Sequence, residues 1–414
     1  MQLALINNET TVMFFDVEQD EFTGKVKELW HEERRTPMIT FMHDWSDKDG
    51  EKENDYYVIE FRKGPALGLL QLEELLEPDV LARLKRHNSN LYLVVANSHE
   101  AFLSCVQDVY SGLVDRYSIP AHKIILMTGA FEANKLNQEI IASRDNQDSI
   151  KIKLILDFEK GANNTLEYLL GHKRLKFKPT LEKKEYATSF LNFNRRWRTH
   201  RPLFIAMLLA EDLLDNGLVS FGPSDCGRDW QETFPMLLQL SRNLDNITLT
   251  KQLMSIEDEL VNMPPKYIDH QELVTNRADF IESDDWMYAE TYFSLVSETH
   301  YLQGDDEHGI FFSEKIFKPI SFKHPFILIA PCGSLSALKS IGYKTFAPYI
   351  NESYDAEQDD IKRMQMIIEE TKRLDSLEGD ALYEWIDNVK EICEKNFNIL
   401  MKKGRYDFAH KVNY

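Results

Sequence analysis

The sequence predicts an α/β protein with two domains, each built on a mostly parallel sheet covered by helices on both faces. Apolar runs of strand length alternate with stretches of helical periodicity before residue 180, and the alternation resumes near residue 187. Such alternation is typical of strand-helix-strand units, whose sheets are buried on both faces. A length of 414 residues is too large for one hydrophobic core and suits two domains.

The first domain, residues 1–180, contains four apolar runs that predict strands. These runs are Met38–Met42, Leu91–Ala96, Ile124–Met127 and Ile152–Leu156. A helix is predicted over Glu100–Tyr117, because its apolar residues recur at helical spacing, and Ser118–Lys123 is the turn that follows it.

The ends of these strands predict part of a cleft, because ligands of parallel sheets bind beyond the carboxyl ends of the strands. Polar residues at such turns are also ordinary helix caps, and that alternative stays open. The nominated residues are His43, Asp44, His99, Glu100 and Glu132.

The charged, proline-containing stretch Lys173–Glu185 predicts a linker, and the second domain, residues 187–352, follows it. Its predicted strands are Ser189–Asn194, Leu218–Phe221, Tyr292–Val296, Phe326–Ala330 and Lys344–Phe346; its predicted helices include Pro202–Leu214 and Ser334–Ile341. Residues 222–275 predict two or three helices with a break at Pro264-Pro265. A third region, residues 355–414, contains two long amphipathic helices, Asp359–Leu374 and Asp380–Lys402.

Composition argues against several classes of protein. The net charge of -20 disfavours binding to nucleic acid or to an anionic membrane by bulk electrostatics, although a local basic patch can still serve. The 4 cysteines form no C-x-x-C pair, so a disulfide framework or zinc knuckle is not expected. The sequence shows neither a signal peptide nor an apolar run of about 18 residues, and the expectation is a cytoplasmic protein without a membrane span.

An arginine-rich cluster, Asn194–Arg201, follows the first strand of the second domain. Its arginines are Arg195, Arg196, Arg198 and Arg201. Guanidinium groups match phosphate oxygens in a bidentate manner, and a helix amino terminus adds exposed N–H groups. The cluster therefore predicts a diphosphate site, against the alternative of a solvated basic turn.

A second polar cluster joins the end of one strand to the start of a short helix. It consists of Ser297, Glu298, Ser313, Glu314, Lys315 and Lys318. A carboxylate can accept both hydroxyls of a ribose, and two lysines three residues apart share one helix face. The alternative is ordinary helix capping. Together the two clusters predict a site for a nucleotide diphosphate.

Several common motifs are absent: the sequence contains no P-loop, no G-x-G-x-x-G turn, no H-E-x-x-H and no G-x-S-x-G. Asp47-Lys48-Asp49 matches D-x-D, but it lies in a run of charged residues and is interpreted as solvated surface. No metal site is predicted.

With these residues identified, the sequence resembles the two-domain GT-B glycosyltransferases, in particular those of large tailed bacteriophages and other viruses. The resemblance rests on N-R-R-x-R-x-H-R at Asn194–Arg201 and on S-E-K-x-F-K-P-I followed by P-F-I-L at Ser313–Leu328. The later segment is similar to the E-K-x-x donor motif of fucosyltransferase-like enzymes. Coverage is about residues 90–360, and Ser297-Glu298 and Gly342–Phe346 also fit the pattern.

The resemblance implies two Rossmann-like domains facing a cleft, with the terminal helices crossing back over it. The donor, a nucleotide-diphosphate sugar of the UDP or GDP type, would bind the second domain, and no other cofactor is implied. The four arginines with Lys315 and Lys318 would neutralise the leaving diphosphate, and Glu314 or Glu298 would hold the ribose. If the transfer inverts the anomeric centre, a base from the first domain would deprotonate the acceptor hydroxyl, with Asp44, His99 and Glu100 as candidates in that order; inversion and retention both stay open.

Two alternatives stay open for the acceptor: a glycan, or a hydroxymethylated base in DNA if the protein belongs to a phage and acts in the host cytoplasm. A different class is also retained, a non-catalytic protein that binds nucleotides or sugars and keeps a GT-B shell for interactions. The sequence specifies no oligomeric state.

Overall fold

The structure is a computed structural model, and the statements below concern the residues that it describes. These are residues 38–43, 55–60, 78–97, 102–145, 147–171, 181–194, 198, 200–221, 229–266, 268, 285–302 and 309–403.

The chain divides into two compact units. Unit 1 comprises Met1–Asp157, Asp305–Phe311 and Arg405–Tyr414, and unit 2 comprises Phe158–Gly304 and Phe312–Gly404. The helix Asp157–Gly171 groups with unit 2, and the domain boundary expected at residue 180 stays a prediction.

Unit 1 contains a five-stranded sheet in the order β1-β2-β3-β4-β5. Its strands are β1 Met38–His43, β2 Asp55–Glu60, β3 Leu91–Asn97, β4 Ile124–Thr128 and β5 Lys151–Leu154; its helices are α1 Pro78–Leu84, α2 Ser104–Val109 and α3 Ala133–Ala142. Strands β2 to β5 run parallel, and β3 and β4 are buried along nearly their whole length. Burial on both faces is why these two strands appear in the sequence as continuous apolar runs.

The direction of β1 corrects the predicted cleft. β1 runs antiparallel to β2, and His43 pairs with Asp55 at the amino-terminal edge of β2 and β3. The prediction had placed the end of this strand at the carboxyl edge, beside the residues after Asn97 and Thr128, and that placement was wrong. The apolar runs of the sequence do not reveal β2, and without β2 the direction of β1 cannot be inferred.

Unit 2 contains a four-stranded parallel sheet in the order β7-β6-β8-β9. Its strands are β6 Phe190–Asn194, β7 Gly217–Phe221, β8 Phe293–Ser297 and β9 Phe326–Ile329. Its helices are α4 Asp157–Gly171, α5 His200–Ala210, α6 Trp230–Asn243, α7 Ile247–Ser255, α8 Glu257–Asn262, α9 Asp285–Glu290, α10 Glu314–Ser321, α11 Ser334–Ser340, α12 Asp360–Asp375 and α13 Gly379–Lys403. The predicted α/β class, with mostly parallel sheets and helices between the strands, is confirmed.

One predicted strand of unit 2 is absent. Lys344–Phe346 forms a loop whose backbone bonds to side chains instead of to a neighbouring strand. The Lys344 amide donates to Asn396 Oδ1 at 2.8 Å, and the Phe346 amide donates to the carboxylate of Glu352. Side chains thus satisfy the groups that a sheet would otherwise pair.

The terminal helices α12 and α13 belong to unit 2. Asn163 on α4 donates to the Leu400 carbonyl of α13 at 2.9 Å, and Glu159 accepts from Tyr343 Oη at 2.6 Å and from Lys403 Nζ at 2.7 Å. The bonds to Leu400 and Lys403 join α4 to α13, whereas the predicted crossing of the terminal helices over a cleft stays a prediction. Within the described residues, no helix is both long and apolar enough to span a membrane.

Candidate functional site

The candidate site lies at the carboxyl edge of the unit 2 sheet, where β6 and β8 end side by side. Asn192 pairs with Leu295, so the ends at Asn194 and Ser297 are neighbours. The Asn192 side chain donates to the Leu295 carbonyl at 2.6 Å and to Ser297 Oγ at 3.3 Å. The hydroxyl of Ser297 is therefore part of the buried bonding between the strands, and its predicted contact with a donor remains a prediction.

The centre of the site is the carboxylate of Glu298, directly after β8. Glu298 is fully buried, and its Oε2 accepts from Ser313 Oγ at 2.5 Å, from the Thr299 amide at 3.2 Å and from the Ser313 amide at 3.3 Å. Among the described residues, no donor bonds to its Oε1. Burial raises the pKa of Glu298, while the nearby ammonium of Lys315 and the bonds from Ser313 partly oppose this rise.

Ser313 connects this carboxylate to the start of α10. It is the N-cap of α10, and its Oγ lies 3.4 Å from the Lys315 amide. Because a hydroxyl has one proton and Ser313 gives it to Glu298, the oxygen is left to accept from Lys315. Lys315 Nζ donates to Ser313 Oγ at 3.0 Å, to Glu314 Oε1 at 2.8 Å and to Thr299 Oγ1 at 3.4 Å. The ammonium is thereby held at the first turn of α10.

Glu314 differs from Glu298 in exposure and in the direction of its pKa shift. Its side chain is 36% exposed. Burial of the carboxyl favours the neutral form, but the charge and hydrogen bond of Lys315 outweigh it and lower the pKa of Glu314 to about 2. Of the two carboxylates proposed for a ribose, Glu314 is thus the one that combines a lowered pKa with an accessible side chain.

Arg201 and His200, at the start of α5, bind the backbone of the turn after β8. Arg201 is only 4% exposed and donates to the carbonyls of Ser297 at 3.1 Å and Glu298 at 3.2 Å. His200 Nε2 donates to the Glu298 carbonyl at 3.1 Å, and its ring stacks on Tyr301. Burial, with the charge of Arg201, lowers the pKa of His200 well below its usual range, so this imidazole is neutral.

The position of Arg201 departs from its predicted role. Its guanidinium is buried and donates to backbone carbonyls, whereas the arginine-rich cluster predicts that it contacts a diphosphate. Arg198 is exposed, and its contact with a diphosphate stays a prediction; Arg195 and Arg196 lie outside the described residues. Lys318 lies one turn after Lys315 on α10, with its Nζ 4.9 Å from the centre of the Phe193 ring.

Two residues that contribute to this edge are not indicated by the sequence pattern, Thr299 and Asp355. Thr299 supplies an amide to Glu298 and a hydroxyl to Lys315. Asp355 caps α11, which follows β9, by accepting from the amides of Leu335 at 2.8 Å and Ser336 at 3.1 Å. An internal carboxylate thus bonds to the first amides of α11. No local motif predicts this cap, because Asp355 lies 20 residues from its partner Leu335.

The three predicted catalytic residues, Asp44, His99 and Glu100, lie outside the described residues, as does Asp47-Lys48-Asp49. In the part of the chain that the structure describes, no group of three or more His, Cys, Asp or Glu side chains is arranged to hold a metal ion.

No protein-family model and no curated protein matches the chain. Among solved structures, the chain is similar to an α,α-trehalose-phosphate synthase (UDP-forming) from Burkholderia vietnamiensis, with 11% identity, 82% of this chain and 74% of that chain covered, and a TM-score of 0.39. It is also similar to the N-terminal domain of a trehalose-6-phosphate phosphatase from Candida albicans, with 11% identity, 77% and 70% covered, and a TM-score of 0.31. Likenesses of this size do not identify a substrate, and the functional proposal therefore rests on the residues of unit 2.

Proposed function

We propose that the chain is a glycosyltransferase of the GT-B type, which takes a nucleotide-diphosphate sugar as donor in unit 2. The observation that carries the proposal is the cluster of Glu298, Ser313, Glu314 and Lys315 at the carboxyl edge of a parallel sheet. Ligands of open α/β sheets bind at this edge. The cluster offers an accessible carboxylate for hydroxyl groups and a fixed positive charge that would attract phosphate oxygens.

The charges of the site suit the leaving group of glycosyl transfer. As the bond between the anomeric carbon and the diphosphate oxygen breaks, negative charge grows on the diphosphate. Lys315 and Lys318, one turn apart on α10, supply positive charge there, and Arg195, Arg196 and Arg198 are proposed to add to it. Charge held in place before the reaction stabilises the transition state without reorganisation.

Arg201 takes a different role in this proposal. Through the carbonyls of Ser297 and Glu298 it holds the turn that carries the buried carboxylate, and so it orders the site without contacting the donor.

Transfer with inversion of the anomeric centre also requires a base. The acceptor oxygen bonds to the anomeric carbon, the diphosphate leaves with the bonding electron pair, and the acceptor proton passes to the base. His99 and Glu100 follow β3, which ends at the carboxyl edge of its sheet, and they are the proposed bases. Asp44 follows β1, whose end lies at the opposite edge, so the strand-end reasoning no longer supports it.

A panel of nucleotide sugars, read by mass spectrometry for released nucleotide diphosphate, tests the proposal on the full chain. We expect Lys315→Ala to lower kcat/KM at least about 10-fold, by removing a fixed charge from the leaving group. Lys339→Ala is the matched control, because Lys339 is an exposed lysine on α11 of the same unit. Wild-type turnover in Lys315→Ala would place the donor site elsewhere.

The panel, together with a salt titration of DNA binding, separates the alternatives. Tight binding of a nucleotide sugar with no release or transfer would favour a non-catalytic binding protein. For the acceptor, a glycan and a hydroxymethylated DNA base are distinguished by salt, since phosphate contacts make DNA affinity fall steeply as salt rises.

A further inference from the structure

We infer that Glu298 takes up a proton when the positive charge of Lys315 is neutralised, as a bound diphosphate would neutralise it. This inference rests on the proposed function for its ligand, because that function places the diphosphate of the donor beside Lys315. Both residues belong to unit 2. Donor binding would then be coupled to protonation of a buried carboxylate.

A continuous chain of hydrogen bonds connects Lys315 to Glu298 through the hydroxyl of Ser313. Lys315 Nζ donates to Ser313 Oγ at 3.0 Å, and Ser313 Oγ donates to Glu298 Oε2 at 2.5 Å. The same ammonium donates to Glu314 Oε1 at 2.8 Å. One ammonium therefore interacts with two carboxylates, and a further anion at Lys315 would compete with both of them for its charge.

Glu298 depends on this ammonium because its carboxylate is shielded from solvent. The residue is 0% exposed, and among the described residues three donors reach its Oε2, whereas none reaches its Oε1. Burial raises the pKa of Glu298, and the charge of Lys315 is the largest of the effects that oppose this rise. When that charge is neutralised, the neutral carboxyl is therefore favoured over a wider range of pH.

Glu314 is less suited to take up this proton. Its side chain is 36% exposed, so water can stabilise its charge. Burial favours its neutral form, but the charge and hydrogen bond of Lys315 outweigh burial and lower the pKa of Glu314 to about 2, and the charge of Lys318 acts in the same direction. Without the charge of Lys315, Glu314 still has a second lysine and solvent, and we expect it to stay ionised near neutral pH.

Two ionisable groups at the start of α5 face the backbone of Glu298. His200 Nε2 and Arg201 donate to the Glu298 carbonyl at 3.1 Å and 3.2 Å. Burial, with the charge of Arg201, lowers the pKa of His200 well below its usual range, so this imidazole stays neutral. His300, two residues after Glu298, is a further group that can bind a proton, and a variant at this position separates its contribution.

The test measures proton uptake when a nucleotide sugar binds to the full chain. Both phosphates of a nucleotide sugar are esterified, so the ligand lacks the terminal phosphate whose second pKa is about 6. Calorimetric titrations in two buffers of different ionisation enthalpy, between about pH 5 and pH 9, give the number of protons taken up. In the range where Glu298 takes up one proton, we expect donor affinity to fall about 10-fold for each unit by which the pH rises.

Glu298→Gln keeps the size of the side chain and removes the group that titrates, so we expect donor binding to this variant without proton uptake. Glu352→Gln is the matched control, because burial also raises the pKa of Glu352, whose carboxylate bonds to residues 345–347. Uptake should persist in this control and in His300→Gln. Uptake that persists in Glu298→Gln, or that disappears in His300→Gln, would overturn the inference.

A second measurement needs no ligand. Infrared spectra over the same range of pH contain a band from protonated carboxyl groups, and the part of this band that Glu298→Gln lacks belongs to Glu298. Lys315→Met removes the positive charge, and we expect it to raise the pH at which Glu298 loses its proton by about one unit or more. Lys339→Met, at an exposed lysine of α11, should leave this pH unchanged.

Failure of the inference and failure of the proposed function are distinguishable. If the wild-type chain binds no nucleotide sugar, the proposed function fails, and the infrared titration of Lys315→Met still decides whether the charge of Lys315 controls protonation of Glu298. If the wild-type chain binds the donor without proton uptake at any pH, or if Lys315→Met leaves the titration of Glu298 unchanged, the inference alone fails.

Discussion

Replacing Ser313 with alanine tests the central contact of the site. The change removes a hydroxyl that donates to the buried carboxylate of Glu298 at 2.5 Å and accepts from Lys315 Nζ at 3.0 Å. A hydrogen bond to a charged group contributes about 1.5 to 3 kcal/mol, and loss of an N-cap costs about 1 kcal/mol. The two effects share one hydroxyl, so we expect Ser313→Ala to lower the free energy of unfolding by about 3 kcal/mol.

Urea unfolding of the full chain, followed by circular dichroism, measures this loss. Ser313→Thr retains the hydroxyl and should recover most of it. Ser340→Ala is the control, because the Ser340 hydroxyl is exposed and donates only to a helix carbonyl among the described contacts, so its loss should change stability by less than about 0.5 kcal/mol. If Ser313→Ala unfolds within about 0.5 kcal/mol of the wild type, the bond to Glu298 does not hold α10, and the reasoning about the site is refuted.

Three further predictions concern buried ionisable side chains. Burial raises the pKa of Glu298, so the free energy of unfolding falls as pH rises above about 4.5. Glu298→Gln should therefore lose less stability than the wild type between about pH 4.5 and pH 7, measured by urea unfolding. Parallel plots of stability against pH for the two proteins would contradict this. Burial lowers the pKa of His324 to about 4. As pH falls from 6.5 to 4, the free energy of unfolding of the wild type should therefore fall by about 3 kcal/mol more than that of His324→Gln. Equal losses in the two proteins would count against this. Arg363 is 1% exposed and paired with Asp360, so Arg363→Ala should lower the free energy of unfolding by about 3 to 5 kcal/mol in thermal unfolding. The same change at the exposed neighbour Lys362 should lower it by less than about 0.5 kcal/mol. Similar losses in the two variants would show that burial of the pair is unimportant.

The sheet of unit 2 was predictable because its strands are buried on both faces. Phe190–Asn194 and Phe326–Ile329 are short apolar runs bounded by polar turns, which is how central strands of a parallel sheet appear in a sequence. The direction of β1 was not predictable, since it depends on pairing with Asp55–Glu60, a strand with acids at both ends. Lys344–Phe346 has the composition of a strand but no partner strand, because Glu352 and Asn396 take its backbone groups.

The site was predictable in residue type but not in role. The spacing of Glu314, Lys315 and Lys318 on one short helix is visible in the sequence. The burial of Arg201 is not, because an arginine in a basic run has the same local sequence whether it faces solvent or backbone carbonyls. The distinction between Glu298 and Glu314 likewise arises from tertiary packing, which buries one carboxylate and leaves the other a third exposed.

The bonds between α4 and α13 set an order of events during synthesis of the chain. Asn163 lies 237 residues before its partner Leu400, and Glu159 lies 244 residues before its partner Lys403. At about 5 to 20 residues per second, translation of this interval takes about 12 to 50 s. All strands of the unit 1 sheet leave the ribosome before α4, whereas α4 itself gains these two partners only after α13 has been made. Until then the side-chain amide of Asn163 lacks its carbonyl partner on α13, and we expect a ribosome-bound chain stalled before residue 400 to expose α4 to protease.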